Sequence, residues 1–459
     1  MPEHGPSTVP SILQPLSTDE YDAPPRTPMQ QRAVATTAVA SVESAQRLAL
    51  PLGRYVDSRR GTAAGLLAMN ESIGGTRYFE VPPEAALDDD AACAAFASDG
   101  PVIDVQTHWI ADRPTLKDFE RTVLAHYRGM APDWWSGLDD MAAFSIAEYL
   151  RCVFVEAETA LAVISAAPGN ANGEMFLKNH EMAGMRELFD RTAGTGRLLN
   201  HTVVRPNLGE IEQMPEWAAT FRPVGWKVYT LGLMDEGYQH YEPGYGWRLD
   251  DDETGMPFLE QARAVGVKLV CAHKGLSGMV DAGSPSDVGP AAKAFPDIDF
   301  VIYHSGYEPG QPEGPLTRET AHLGANRLIQ SVLDAGLGLR SNVYAELGTT
   351  WFVLLSHPED AAHVLGKLLL HLGEDNIIWG TDSIWYGPTQ PVLDAFRAFQ
   401  IPDAMCERYG YPKITAAAKR KILTENAARV YGIDVDALAA AAATDDLSWT
   451  NDVAAELGS

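Results

Sequence analysis

From Pro101 onward, short runs of β-branched and aromatic residues alternate with stretches whose apolar positions recur at helical spacing. The runs are PVIDVQ near 101, LAVISA near 161, RLLNHTVV near 197, VGWKVYT near 224, VKLVCAH near 267, DFVIYHSG near 299, NVYAELG near 342 and NIIWGTD near 376. Between them lie EMFLKNHEMAGMRELFDRTA, MPFLEQARAVG, GANRLIQSVLDAG and PEDAAHVLGKLLLHLG, several ending at a Gly where a left-handed cap would sit. Near-continuous apolar runs mark strands buried on both faces, hence a parallel sheet. Eight repeats over residues 101–382 fit an α/β (β/α)8 TIM barrel better than an open doubly wound sheet.

Other stretches frame that barrel. Residues 1–30, with Pro6, Pro10, Pro15, Pro24, Pro25 and Pro28, read as a disordered or loosely docked arm. Residues 31–99 read as a helical N-terminal extension, 100–435 as the barrel and 436–459 as a C-terminal helical tail. DSRRGTAAGLLAMN sets Arg59-Arg60 before a small apolar run, as twin-arginine export signals do. It stands far from the N-terminus and lacks bulky residues after the arginines, so it reads as a helix with an exposed basic start.

Composition narrows the partners. Of 459 residues, 46% are hydrophobic and 21% charged, the profile of a soluble globular chain. The net charge of −27 repels phosphate backbones and anionic headgroups, which argues against nucleic acid and membrane surfaces and leaves a small-molecule partner. Cys93, Cys152, Cys271 and Cys406 form no C-x-x-C, so neither a disulfide framework nor a thiolate zinc knuckle is indicated, and a cytoplasmic location is expected.

In such a barrel the active site is built at the C-terminal ends of the strands. There the chain places Asp104, Gln106 and His108 after the first run, at alternate positions expected to share one face. Lys227 and Tyr229 follow on the fourth, His273 on the fifth, His304 on the sixth, Glu346 on the seventh and Asp382 on the eighth. Each has a structural alternative: a terminal His is often simply hydrogen-bonded, and an Asp caps the next helix. Three imidazoles, a carboxylate and a Lys at one end of one barrel suit zinc, iron or manganese, with positions left for water and substrate.

The motifs DVQTH, KVYT, AHKG, PDIDFVIYHSGYE, NIIWGTD and KILTENAARVYG, in this order from about 101 to 432, resemble the amidohydrolase superfamily. The likeness is to its amidohydrolase-related branch, which includes aminocarboxymuconate-semialdehyde decarboxylase-like enzymes. The resemblance implies metal roles for His273, His304 and Asp382, with one or two divalent ions (Zn, Fe or Mn). The family's strand-one His-x-His is Gln106 and His108 here, so only the second carries over. A carboxamide is a weaker donor than imidazole, so Gln106 either loosens the ion, leaves Asp104 to supply an oxygen, or hydrogen-bonds a neighbour. Lys227 is either a bridging carbamate, as in dinuclear members, or a plain ammonium.

The implied chemistry is hydrolysis or decarboxylation. Metal-bound water has a pKa near about 7, and Asp382 is placed to take its proton and return it to a leaving group. Trp385, Tyr386, Tyr229, Trp351 and Trp134-Trp135 offer aromatic surface for a ring-bearing substrate, and Arg205, Arg248 or Glu346 a polar contact. Two other readings stand beside this one. The altered strand-one motif also suits a non-haem iron oxygenase on the same scaffold. It also suits a decayed subunit partnering an active homologous barrel, with a homo-oligomer or such a hetero-oligomer expected.

Overall fold

The computed structural model describes residues 7–457 except 16–17, 19–20, 22, 117–143, 167–168, 171–172, 236–239, 278 and 312. Trp134 and Trp135 therefore lie outside the described residues.

The eight apolar runs form eight parallel strands: β1 (Val102–Thr107), β2 (Thr159–Ile164), β3 (Leu198–Val203), β4 (Gly225–Tyr229), β5 (Leu269–His273), β6 (Asp299–Tyr303), β7 (Val343–Glu346) and β8 (Ile377–Ile378). They are neighbours in chain order, β1 to β8. The chain after β8 returns to β1 through Asp382 N to Gln106 O and His108 N to Ser383 O, both 2.8 Å. This is the expected (β/α)8 barrel.

Side-chain alternation explains why the strands read as unbroken apolar runs. Leu161, Val163, Leu269, Cys271, Val301 and Tyr303 pack in the inner cluster. Ala162, Ile164, Val270, Ala272, Phe300 and Ile302 face the helices. Of those, Asn179–Ala193 buries Met182, Met185, Leu188 and Phe189 and stops at Gly194, whose φ of 68° is the left-handed cap that glycine supplies without strain. Each large side chain buried this way contributes about 1.5–3 kcal/mol.

Segments outside the strand–helix repeat are tied to it. Helix Pro28–Arg47 starts in a reciprocal Thr27–Gln30 capping box. Ile12 and Leu13, in the N-terminal 30 residues, are buried. Helix Arg59–Ser72 is anchored by Arg59, which pairs with Asp394 at 3.2 Å and with Glu158. In helix Trp449–Leu457, the Trp449 ring lies 4.6 Å from Phe189 and 5.9 Å from Phe154. Arg197 pairs with Asp445 just before it, at 2.8 Å. Among the described residues no helix is long and apolar enough to cross a membrane.

Candidate functional site

The site begins with an irregularity in β1. Asp104 pairs with Ala162 and Thr107 with Ile164, three steps on β1 against two on β2. This is a β-bulge, which re-aims side chains. Ile103 and Val105 face the inner cluster, so Asp104 between them faces outward with Ala162. Thr107 also turns outward, its hydroxyl 3.0 Å from Tyr149. The extra residue lets Gln106 point inward directly after Val105, and its Nε2 donates to Asp382 Oδ1 at 2.6 Å.

The expectation that Asp104, Gln106 and His108 share one face is therefore corrected, because the bulge breaks the alternation. Asp104 is a structural acceptor across the β1–β8 seam: it takes the Thr381 amide at 3.0 Å, the Thr381 hydroxyl at 2.6 Å and the Gln106 amide at 3.2 Å. Burial pushes its carboxyl up to about 7.

Two histidines meet across β5 and β6. His273 ends β5 with its ring stacked on Tyr229 at 4.6 Å. His304 follows β6 at φ 64°, in the left-handed region that side chains rarely adopt. Its Nδ1 lies 2.8 Å from the Gly348 carbonyl. A carbonyl only accepts, so that nitrogen carries the proton and Nε2 keeps a lone pair. Nε2 faces His273 Nδ1 at 3.1 Å.

Asp382 sits in a similar conformation, at φ 61°. Thr349, at φ 54°, donates its hydroxyl to Asp382 Oδ2 at 2.5 Å and is bonded in turn to the Tyr386 hydroxyl. Tyr386 stacks on Phe352 at 4.0 Å. Strained residues cost about 1–3 kcal/mol each and persist where the surroundings over-determine them. Three of them, His304, Thr349 and Asp382, converge here. His108 is 3.8 Å from Asp382 through Nδ1.

Lys227, on β4, holds its Nζ 3.3 Å from the Tyr303 ring centre and 4.7 Å from that of Tyr229. Burial first, and then the Lys227 charge, press His108 and His304 down to about 3. His273 falls well below its ordinary value through burial, His304 and Lys227. The rings are neutral at physiological pH, the form that offers lone pairs.

The remaining residues have other partners. Glu346 is fully buried and accepts from the backbone amides of His304 (3.1 Å) and Gly348 (2.6 Å). Burial raises its carboxyl well above the usual range. A Cβ on Gly380 would meet Glu346 Oε1 at 1.9 Å, so only glycine fits there. Arg205 is paired with Glu210, five residues on. Trp351 donates to Val392 O at 3.0 Å within the helix packing, and Arg248 pairs with Asp250 at 2.8 Å.

Sequence reasoning missed His201. It lies inside the barrel floor, 3.3 Å from the Tyr303 and Tyr431 hydroxyls and 3.4 Å from Cys271 Sγ. Its only outward signal was one His in the third apolar run.

One pair of these donors has the spacing that two ligands of a divalent cation would take. His108 Nε2 and Gln106 Oε1 are buried without a hydrogen-bond partner among the described residues. Two nitrogens on one ion, at bonds of about 2 Å, lie about 3 Å apart, the spacing of His273 Nδ1 and His304 Nε2. The donors stand as two pairs, His273 with His304 and His108 with Asp382. Among the described residues no three such side chains already close on a single point.

Comparison with known proteins gives the same frame. The amidohydrolase family model matches residues 103–433. No curated protein matches the chain. Similar solved structures include 2,6-dihydroxybenzoate decarboxylase from Rhizobium, at 14% identity and TM-score 0.46, covering 73% of this chain and 99% of that one. Another is an amidohydrolase from Burkholderia multivorans with bound zinc, at 15% identity and TM-score 0.41, covering 73% and 100%.

Proposed function

Because this chain belongs to the amidohydrolase family, we propose that it is a metal-dependent hydrolase or decarboxylase acting on a small ring-bearing or carboxylated organic substrate. The observation that carries this reading is the pair of neutral imidazoles, His273 and His304, facing each other at 3.1 Å beside the His108–Asp382 pair. His108, His273, His304 and Asp382 would hold the ion, a zinc, iron or manganese. Bound there, it would supply a Lewis acid for a carbonyl oxygen and activate water.

The chain's own residues then have defined tasks. Asp382 is the proton carrier: burial lifts its carboxyl to about 6, against the lowering pull of Thr349, Lys227 and Gln106. A carboxylate placed beside an activated water can take its proton and return it. Gln106 and Thr349 fix its two oxygens. Gln106 in this reading is an orienting partner of Asp382, and Asp104 braces the seam behind it. Lys227, as an ammonium held against Tyr303, adds to the burial that keeps the imidazoles unprotonated.

The test is elemental analysis of the untagged protein. One or two equivalents of zinc, iron or manganese are expected, with His304→Ala losing both metal and turnover. A metal-free parent protein that remains fully active would overturn the reading.

A further inference from the structure

The two sides of the site are braced in different ways. Around His108 the packing is aromatic, with the Trp385 ring edge-on at 5.2 Å. Behind His273 and His304 it is ionic. Lys274, the residue after His273, forms a fully buried ion pair with Asp287 at 2.7 Å. Its ammonium also donates to the carbonyls of Ala282 (3.0 Å) and Ser284 (3.2 Å). A lysine has three N–H donors, and all three are used. Asp287 Oδ2 takes the Leu249 amide as well, at 2.8 Å, and Ala282 O takes the Thr230 hydroxyl at 2.7 Å. The groups that grip Lys274 are thus tied to the chain that follows β4.

The backbone of Lys274 holds the other histidine. Its amide bonds Tyr303 O at 3.4 Å and its carbonyl accepts from the Gly306 amide at 2.9 Å, so it brackets His304 from both sides. Between those two bonds the chain runs through His304, Ser305 and Gly306 at φ 64°, 53° and 67°, three left-handed residues in succession. A turn of that kind is held by its surroundings and not by its own preference. The approach is close: a Cβ on Gly275 would meet Tyr307 O at 2.6 Å.

A buried ion pair is a poor source of stability, since apolar side chains of similar volume often serve as well; its best attested use is to fix which groups meet. Here the groups are His273 Nδ1 and His304 Nε2, 3.1 Å apart.

We propose that Lys274 is a positioning residue: anchored by Asp287, Ala282 and Ser284, it sets the separation of the two histidines before any ion arrives, and it touches neither the ion nor the substrate. The inference rests on the metal reading of the site and adds to it a preformed backbone clamp.

The experiment compares the full-length parent with the double variant Lys274→Met/Asp287→Asn. Lys274→Met alone leaves a carboxylate buried without its partner, whereas the two changes together remove both charges and leave an amide oxygen for the Leu249 N–H. Urea midpoints of the metal-free proteins should therefore agree. Zinc, read by chelator competition, should be held about 10–100-fold more weakly, and the visible spectrum of the cobalt-substituted protein should change. Metal affinity within twofold of the parent's and an unchanged cobalt spectrum in the folded double variant overturn the proposal, because a pair that only packs leaves both where they were.

Two measurements cover the remaining cases. If the double variant does not fold, hydrogen exchange of the Gly306 amide in the metal-free parent decides. Protection equal to that of the zinc form is expected; an amide protected only once zinc is added overturns the proposal, because the ion would then be building the turn. If the parent binds no metal, the metal reading falls and the His304 Nδ1–H resonance becomes the readout. Its bond to Gly348 O should keep it visible in the parent. It should be lost in the double variant, and a resonance that persists unshifted overturns the clamp.

Discussion

Replacing Gln106 by Leu is the sharpest probe of the site, because it separates metal binding from folding. The side chain makes one strong bond, 2.6 Å from Nε2 to a carboxylate that is itself buried. A hydrogen bond to a charged acceptor is worth about 1.5–3 kcal/mol. Losing the orienting partner of a metal ligand costs about 10–100-fold in affinity, or about 1.4–2.7 kcal/mol. The two figures agree, so Gln106→Leu is expected to weaken the ion by that factor. Stability should move much less, because Leu also removes the buried, unpartnered Oε1, whose desolvation costs about 1–3 kcal/mol. Chelator competition for zinc and for manganese reads the first effect, and a urea titration of the metal-free protein reads the second. Thr349→Val gives the other half of a double-mutant cycle, since both residues bond the same carboxylate. Metal affinity within twofold of the parent in Gln106→Leu would refute the orienting role.

Three further outcomes follow from the fold. Lys367 and Glu313 form a fully buried ion pair, so Lys367→Met strands a carboxylate and should lower unfolding free energy by about 3–5 kcal/mol, read from the denaturant midpoint. Gly380→Ala drives a methyl into Glu346; it should displace the His304 amide and abolish metal retention, and a variant with normal metal content would count against the packing described. His363, bonded to the Tyr411 hydroxyl at 2.9 Å, is pressed down to about 4 by burial and by Lys367. The unfolded chain takes up a proton near pH 6.5 that the folded one refuses until about 4, so stability is lost as pH falls through that window. His363→Leu should flatten that acid limb, and melting curves from pH 4 to 7 check it.

The barrel was legible because parallel strands buried on both faces leave an apolar run with no polar alternation, and all eight runs became strands. Even β8, two residues long, was marked by its neighbours Trp379 to Asp382. The imidazoles at the ends of β5 and β6 were legible for the same reason: a polar residue that ends an apolar run has few places to go. The bulge in β1 was not, since an extra residue changes no composition and only the partner strand reveals it. It decides which of Asp104 and Gln106 reaches the interior. The backbone donors that Glu346 accepts from and the left-handed backbone at His304, Thr349 and Asp382 were equally hidden, because they depend on loops meeting from distant parts of the chain. His201 went unnoticed because its partners, Cys271, Tyr303 and Tyr431, come together only through strand register and the return of helix Asn426–Tyr431.

The docking of Trp449 against Phe154 and Phe189 has a consequence for how the molecule is made. Domains generally fold as units during synthesis, N-terminal ones first, and the aromatic surface outside β2 and β3 of this one stays uncovered until 260 further residues have been added, the span from Phe189 to Trp449. A nascent barrel lacking this late-arriving cover presents two adjacent phenyl rings to the solvent, so trimming the chain back to its strands and helices should yield a sticky protein before it yields an inactive one.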